Sequence, residues 1–330
     1  MFDTVHMEKR AQGRWVDFRE EVAPYLEPSS IVEHTSNNGR DTKITGLMGN
    51  YSVTITPAKV GIYRGSLCKW YLGNNFQTLT RGDVKIALEK IADTLHLSME
   101  DAKITRMDVG ASMIVSHPVE CILNHIGHRP YTNRAPYPSG LYYWLWSNSG
   151  AMHFYDKIKE ALKKREPIPK EYRGHHVMRY ELRYMNRLSQ LLKVPEVTGS
   201  MLYDEAFYNM LRQRWAEEYM KIDKLNDMNI DITQLTDKKG FETFANALAV
   251  EKLGGEIKAL EWVKEMQKNG DMDRKTAYRL REKIKAACRA DGVNIVPNPG
   301  ITELTEKIEE AANGMEPTST PSGCGGVHKR

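Results

Sequence analysis

Three stretches of the chain alternate between apolar residues and residues that ionise or hydrogen-bond, and this period of two is the strongest constraint on its fold. In Ile104 to Met113, one side carries Met107, Val109, Ala111 and Met113, and the other Arg106, Asp108, Gly110 and Ser112. In Met152 to Lys157, Met152 and Phe154 face one way while His153, Tyr155 and Lys157 face the other. In Met178 to Arg183, Met178, Tyr180 and Leu182 oppose Arg179, Glu181 and Arg183. Successive side chains of a strand point to opposite faces, so each set lies on a common side. Were the three strands neighbours, two carboxylates, a histidine, a tyrosine and several cations would converge on one patch.

The flanking sequence supplies more strands and some helices. Tyr51 to Thr56 alternates like a half-buried strand, and Ser66 to Leu72 reads as its partner across a Gly-containing turn. Thr80-Arg81-Gly82-Asp83 leads into a helix with apolar residues at Val84, Ala87, Leu88, Ile91 and Ala92. Pro118 to His125 reads as a short helix, and Gly127 to Gly140 as a loop rich in Gly, Pro and Asn. Leu141 to Trp146 and Ala151 to Asp156 form a hairpin around Asn148-Ser149-Gly150. Asp156 to Lys164 is helical, and His176 to Tyr184 is a strand. This order predicts an α+β fold, an antiparallel sheet with helices packed on one face. From about Gly199 the pattern turns helical: Met201 to Asn226, Lys239 to Lys252, Gly255 to Asn269 and Arg274 to Arg289. The expected organisation is a domain over 1–195, a mostly helical domain over 199–312, and a disordered tail over 313–330 rich in Pro, Ser, Thr and Gly.

Composition removes several classes. Hydrophobic residues at 41% and charged residues at 27% are ordinary for a globular chain of 330 residues. No run approaches the roughly 20 apolar residues of a membrane span, and the opening residues lack the apolar core of a signal peptide. A cytoplasmic protein without a membrane partner is expected. Cys68, Cys121, Cys288 and Cys324 form no CxxC pair, which argues for free thiols and against a zinc site. The net charge is only +4, but basic residues cluster at Lys157 to Arg165, Arg179 to Arg187 and Arg274 to Arg289. Clusters of this kind are either phosphate-binding surfaces or solvated faces.

The three polar faces together hold the equipment for cutting a phosphodiester through a tyrosine. A phenol with an ordinary pKa of about 10 is a poor nucleophile. A neighbouring cation favours the phenolate, and a divalent metal (Mg²⁺ or Mn²⁺) held by carboxylates polarises the phosphate. Lys157 and the arginines would offset charge developing on the phosphate oxygens. The alternative is structural: the carboxylates pair with Arg106 or Arg179, and Tyr155 packs its ring.

These residues resemble the gene II / gene X replication initiators of filamentous phages and related small plasmids. The matching segments run in order: Met1-Phe2-Asp3-Thr4-Val5, Thr56-Pro57-Ala58-Lys59-Val60, Ile104-Thr105-Arg106-Met107-Asp108, Phe154-Tyr155-Asp156-Lys157 and Met178-Arg179-Tyr180-Glu181-Leu182-Arg183. The same order of motifs also resembles conjugative or mobilisation relaxases. The resemblance covers roughly residues 1–195. It implies a ferredoxin-like nicking endonuclease that cuts one origin strand, keeps a 5′-phosphotyrosine link, leaves a 3′-OH primer for rolling-circle replication, and later rejoins the ends. Carried over, Tyr155 is the nucleophile and Lys157 its neighbouring cation. Asp108 and Glu181 are metal ligands, and Arg106 and Arg179 are phosphate or carboxylate partners; Arg183, on the same strand face as Arg179, is a further expected contact to DNA phosphate. His153 joins the metal site on strand geometry alone and is not carried over; the His-hydrophobic-His metal motif of common initiators is missing, since His175-His176 is adjacent and not alternating. Origin DNA, a host helicase and a host polymerase are the implied partners. Tyr172, Tyr180 and Tyr184 are open candidates for a second nucleophile.

Gly255 to Arg289 reads as helix, Asn269-Gly270 turn, helix, with Asp273 as N-cap. It suits a helix-turn-helix that offers Arg274, Lys275 and Arg279 to DNA. A basic helical hairpin docked on the first domain suits it equally. Two other classes stay open: a non-catalytic initiator that only binds origin repeats, and a nucleic-acid-binding module that stacks bases on Tyr142, Tyr143, Trp144 and Trp146.

Overall fold

Ten strands form one antiparallel sheet in the computed structural model, which describes residues 1–11, 17–35, 42–230, 238–290 and 293–314. They are β1 (Phe2–Arg10), β2 (Val32–Thr35), β3 (Thr42–Met48), β4 (Tyr51–Thr56), β5 (Lys59–Tyr63), β6 (Lys103–Val115), β7 (Asn133–Tyr137), β8 (Gly140–Leu145), β9 (Gly150–Asp156) and β10 (His176–Tyr184). Their order is β2-β3-β4-β5-β1-β6-β10-β9-β8-β7. The three alternating stretches therefore lie side by side as β6, β10 and β9. A sheet of this width extends well beyond a ferredoxin-like unit, and the fold is α+β with a helical C-terminal region.

The helices are α1 (Phe18–Val22), α2 (Leu67–Leu72), α3 (Arg81–Leu95), α4 (Val119–His125), α5 (Lys157–Lys164), α6 (Leu188–Leu192), α7 (Glu205–Met220), α8 (Lys238–Lys252), α9 (Glu256–Asn269), α10 (Arg274–Cys288) and α11 (Pro299–Ala312). None is long and apolar enough to cross a membrane among the described residues. Two expectations are corrected. Ser66 to Leu72 is the helix α2, not a strand: the Ser66 side chain accepts from the Lys69 amide, and Gly73, at φ +77°, closes the helix. β4 pairs instead with β3 and, across Pro57 and Ala58, with β5. The stretch read as a loop to Gly140 contains β7, which pairs with β8 at the sheet edge.

The chain divides into two units. The first holds the described residues of Met1–Val115, Tyr131–Met220 and those from Lys307 on. In it, the apolar face of the central strands packs against α7. Phe154 stacks on Tyr180 at 4.4 Å, and Tyr180 on Trp215 at 4.8 Å. The Tyr180 hydroxyl donates to the Trp215 carbonyl at 2.9 Å. Burying these large rings contributes on the order of 2 kcal/mol per side chain to holding α7 on the sheet. On the opposite face, Phe76, Ala161, Tyr172 and Val177 form a small apolar cluster beside α5. Beside it, on the same face, lie the polar sets of β6, β9 and β10.

The second unit holds the described residues of Ser116–Pro130 and Lys221–Glu306. Its core joins α8, α9 and α10 through Ala247, Val250, Ala259, Val263, Ala277 and Ile284. Gly270, at φ +85°, ends α9, and the Asp273 carboxylate accepts from the Lys275 and Thr276 amides to start α10. A two-stranded antiparallel sheet of β11 (Asp227–Ile230) and β12 (Val293–Val296) belongs to the same unit. The tail expected to be disordered lies outside the described residues from 315 on, as does Cys324. Cys68, Cys121 and Cys288 are free thiols.

Candidate active site

Register decides which side chains meet. On β10, Arg183 pairs with Asp108, Glu181 with Gly110 and Arg179 with Ser112 of β6. Across the other edge, Arg179 pairs with Tyr155 and Glu181 with His153 of β9. All of these side chains project to the polar face, because the period of two is unbroken through the three strands. An irregularity between Phe2 and Val5 in the pairing of β1 with β6 accompanies the entry of Asp3 into the group.

Tyr155 is only 4% exposed. Its hydroxyl donates to Glu181 Oε1 at 2.8 Å, and its ring lies 4.3 Å from that of His153. Burial, then the Glu181 charge, pushes the phenol well above its usual pKa, with Arg179 pulling the other way. Glu181 also accepts from Arg179 Nε at 2.7 Å and from the Arg183 guanidinium at 2.6 Å. Burial works to raise its pKa, but Arg183, then Arg179, overrule that and hold it well below the carboxylate range. Arg179 is fully enclosed. It donates to Asp3 Oδ2 at 2.8 Å, to Ser112 Oγ at 2.9 Å and to the Asn75 carbonyl at 2.8 Å. Burying a guanidinium requires oxygens of this kind around its donors.

Asp108 receives Arg106 in a two-pronged pair at 3.1 and 2.8 Å, with Arg183 Nε 3.5 Å away. His153 Nδ1 lies 2.7 Å from Arg183 and Nε2 lies 2.5 Å from the Tyr137 hydroxyl. Burial lowers the histidine's pKa to about 4, so it is neutral at physiological pH. With Arg183 donating to Nδ1, the proton of the neutral ring sits on Nε2 and is offered to Tyr137. The expected metal donors are thus brought together, but arginines, Tyr155 and Tyr137 engage their donor atoms. No group of three or more His, Cys, Asp or Glu among the described residues is arranged to hold an ion. Asp108, Glu181 and His153 do not fit a divalent cation as they stand.

Lys157 departs from its expected position. The strand ends at Asp156, whose side chain caps α5, and Lys157 opens the helix. Its ammonium donates to Asn75 Oδ1 at 2.8 Å and Glu160 Oε2 at 2.7 Å, not to Tyr155. Burial, then Arg179, lowers its pKa, while Glu160 opposes. The cations that bear on the Tyr155–Glu181 pair are Arg179 and Arg183. Sequence reasoning did not single out Asn75 or Tyr137; Ser112 entered it only as a member of the polar face of its strand, and Asp3 only within the opening segment.

Above this floor lies an open cleft of about 600 Å³. Arg64, Lys69, Arg106, Lys163, Lys164 and Arg183 line it, against Asp3, Asp108, Glu160 and Glu181, so it favours an anionic ligand. In the second unit, Arg274, Lys275 and Arg279 are exposed on the first turns of α10, next to Tyr278.

A family model described as the N-terminal part of the gene II replication-associated protein matches residues 32–234, more than half of the chain. The match includes β6, β9 and β10 and ends before α8. No curated protein matches the chain.

Proposed function

Because the chain belongs to the gene II replication-associated protein family, a type of rolling-circle replication initiator, we propose that Tyr155 is the nucleophile with which it nicks one strand of origin DNA. The observation that carries this reading is the Tyr155 hydroxyl, hydrogen-bonded to Glu181 on the floor of a cationic cleft. Glu181 Oε1 is the base in reach of the phenolic proton. As that proton passes to Glu181, Tyr155 Oη bonds to phosphorus and the bond to the 3′-oxygen breaks. The departing oxygen takes up a proton from water in the open cleft and becomes the 3′-OH primer, while the 5′-phosphate stays on the tyrosine. Arg183, shared among Asp108, Glu181 and His153 and partly exposed, is the group that turns to the phosphate. Arg179 holds Glu181 from below, and Lys157 positions Asn75 and Glu160. Arg106 is a phosphate contact once it leaves Asp108.

Dependence on Mg²⁺ or Mn²⁺ belongs to this proposal without a place in these steps, since the donors do not fit an ion as they stand. A nicking rate unchanged by chelator would remove it. Extension of the 3′-OH calls for a host polymerase, and unwinding ahead of it for a host helicase.

The test is supercoiled DNA carrying the cognate origin, incubated with the protein and either metal. Wild type yields relaxed circles and a covalent protein–DNA adduct, and Tyr155→Phe yields neither. Nicking by Tyr155→Phe at the wild-type rate overturns the assignment. Origin binding without nicking by wild type would instead make the protein a non-catalytic initiator.

A further inference from the structure

Four aromatic rings run from the surface of the outer strands down to Tyr155. Trp144 and Tyr142, two residues apart on β8, lie 6.0 Å apart and nearly parallel at 12°. Tyr142 stacks on His153 of the next strand at 3.9 Å and 5°, and His153 on Tyr155 at 4.3 Å. Tyr137 flanks the row, 5.6 Å from Tyr142 and 5.8 Å from His153. The core does not account for this row. On the same strand Leu141, Tyr143 and Leu145 face the apolar side and are buried, whereas Trp144 is 42% exposed.

We propose that this row is the floor of a track that delivers an unpaired DNA strand to Tyr155, with Trp144 at its outer end as the ring on which a base stacks; the proposal rests on the reading of the cleft as the nicking site. Three observations carry it. The outermost ring, Trp144, is exposed while the rings behind it stack on one another, so it offers a face to other flat π-systems, and every base has such a face. The rim is cationic: the Arg183 guanidinium lies over the Tyr142 ring at 5.4 Å, and Arg64, Lys163 and Lys164 line the same cleft. A strand laid along the rings would set its phosphates against those charges. Finally, a duplex turns its base faces toward each other, so only an unpaired strand can offer them to a ring. The track therefore selects the unpaired strand over duplex, through Trp144 as a specificity residue that touches a base and not the reacting phosphate.

The experiment measures binding of fluorescent 12-nucleotide probes to the full chain carrying Tyr155→Phe, so that nothing is cut. The probes are an oligothymidylate, an abasic strand of equal length, and a duplex. The thymidylate strand binds more tightly than the other two. Adding Trp144→Leu weakens thymidylate binding roughly tenfold, the scale of one base–aromatic stack, and leaves abasic binding unchanged. Trp144→Phe keeps most of the affinity, which separates stacking from a folding defect. Thymidylate binding unaffected by Trp144→Leu, or an equal loss for the abasic strand, overturns the track. So does duplex binding as tight as thymidylate binding. The two readings fail separately: a wild-type protein that binds thymidylate through Trp144 but never nicks supercoiled DNA keeps the track and loses the nuclease.

Discussion

Glu181 is asked to do two opposed things. Two arginines keep it ionised, which makes it a ready acceptor for the Tyr155 hydrogen bond but a weak base toward a phenol whose own pKa is raised. On the proposed mechanism, negative charge on the phosphate would draw Arg183 away and make Glu181 a stronger base, which would couple substrate binding to proton transfer through one guanidinium. Glu181→Gln keeps the size and one acceptor oxygen but cannot take the proton. Nicking of supercoiled DNA should fall by about a hundredfold or more, the usual worth of a positioned base. A variant cutting within a few-fold of wild type would assign the base elsewhere. A second residue offers a pH signature away from the carboxylates. Burial, with help from Arg106 and Arg64, lowers the His6 pKa to about 4 from 6.5. Between these values only the unfolded chain holds the proton, so this group favours the native state above pH 6.5 and loses that contribution as pH falls toward 4. In His6→Gln, where the amide oxygen can still accept from the Arg64 amide as His6 Nε2 does at 3.1 Å, Tm should fall less steeply over that window than in wild type. Parallel Tm–pH curves for the two proteins would refute it.

The three-strand meeting of β6, β10 and β9 depends on a residue with no side chain. A Cβ on Gly110 would lie 2.6 Å from the Tyr180 carbonyl oxygen and 2.9 Å from Glu181 Cγ, so β6 and β10 would have to part for any larger residue. Gly110→Ala should destabilise the protein by about 1–3 kcal/mol, the range for overpacking, and lower the nicking rate because Glu181 is displaced from Tyr155. Denaturant unfolding and the plasmid assay report the two effects, and an alanine variant matching wild type in both would show that the strands have slack here. This element was legible in the sequence, because Arg106, Asp108, Tyr155, Arg179, Glu181 and Arg183 sit in unbroken alternation and alternation is what sets a strand's face. Other elements were hidden for physical reasons. Leu67 to Leu72 is short and strand-like in composition, and only its Ser66 and Gly73 caps mark it as helix. The edge strand β7 contains Pro136 and pairs on one side only, so it has the composition of a loop. The partners Asp3 and Asn75 reach the site by a strand irregularity and a loop, which no local periodicity records.

A chain that recognises an origin and cuts it needs one surface that reads duplex and another that handles the opened strand, and these need not share residues. The family match stops before α8, and the second unit has its own small core of α8, α9 and α10. There α9, the Gly270 turn and α10 have the order and capping expected of a helix-turn-helix. The first turns of α10 expose Arg274, Lys275 and Arg279, while Ala277 and Ile284 of the same helix are buried. An amphipathic helix that is apolar inward and basic outward at its N-terminal end is suited to lie along a groove, its first turns meeting the phosphates and base edges. Replacing Arg274 and Arg279 together by alanine should weaken binding to duplex origin DNA and reduce the salt dependence of that binding, by about one unit of log–log slope for each phosphate left unneutralised. Cutting of a short single-stranded oligonucleotide that carries the nick sequence should proceed at the wild-type rate, since the Tyr155 cleft is untouched. If the double variant binds duplex with wild-type affinity and salt slope, α10 is not the reading helix. If single-stranded cutting falls as far as duplex binding, these arginines serve the cleavage reaction itself, and the division of labour between the two surfaces is wrong.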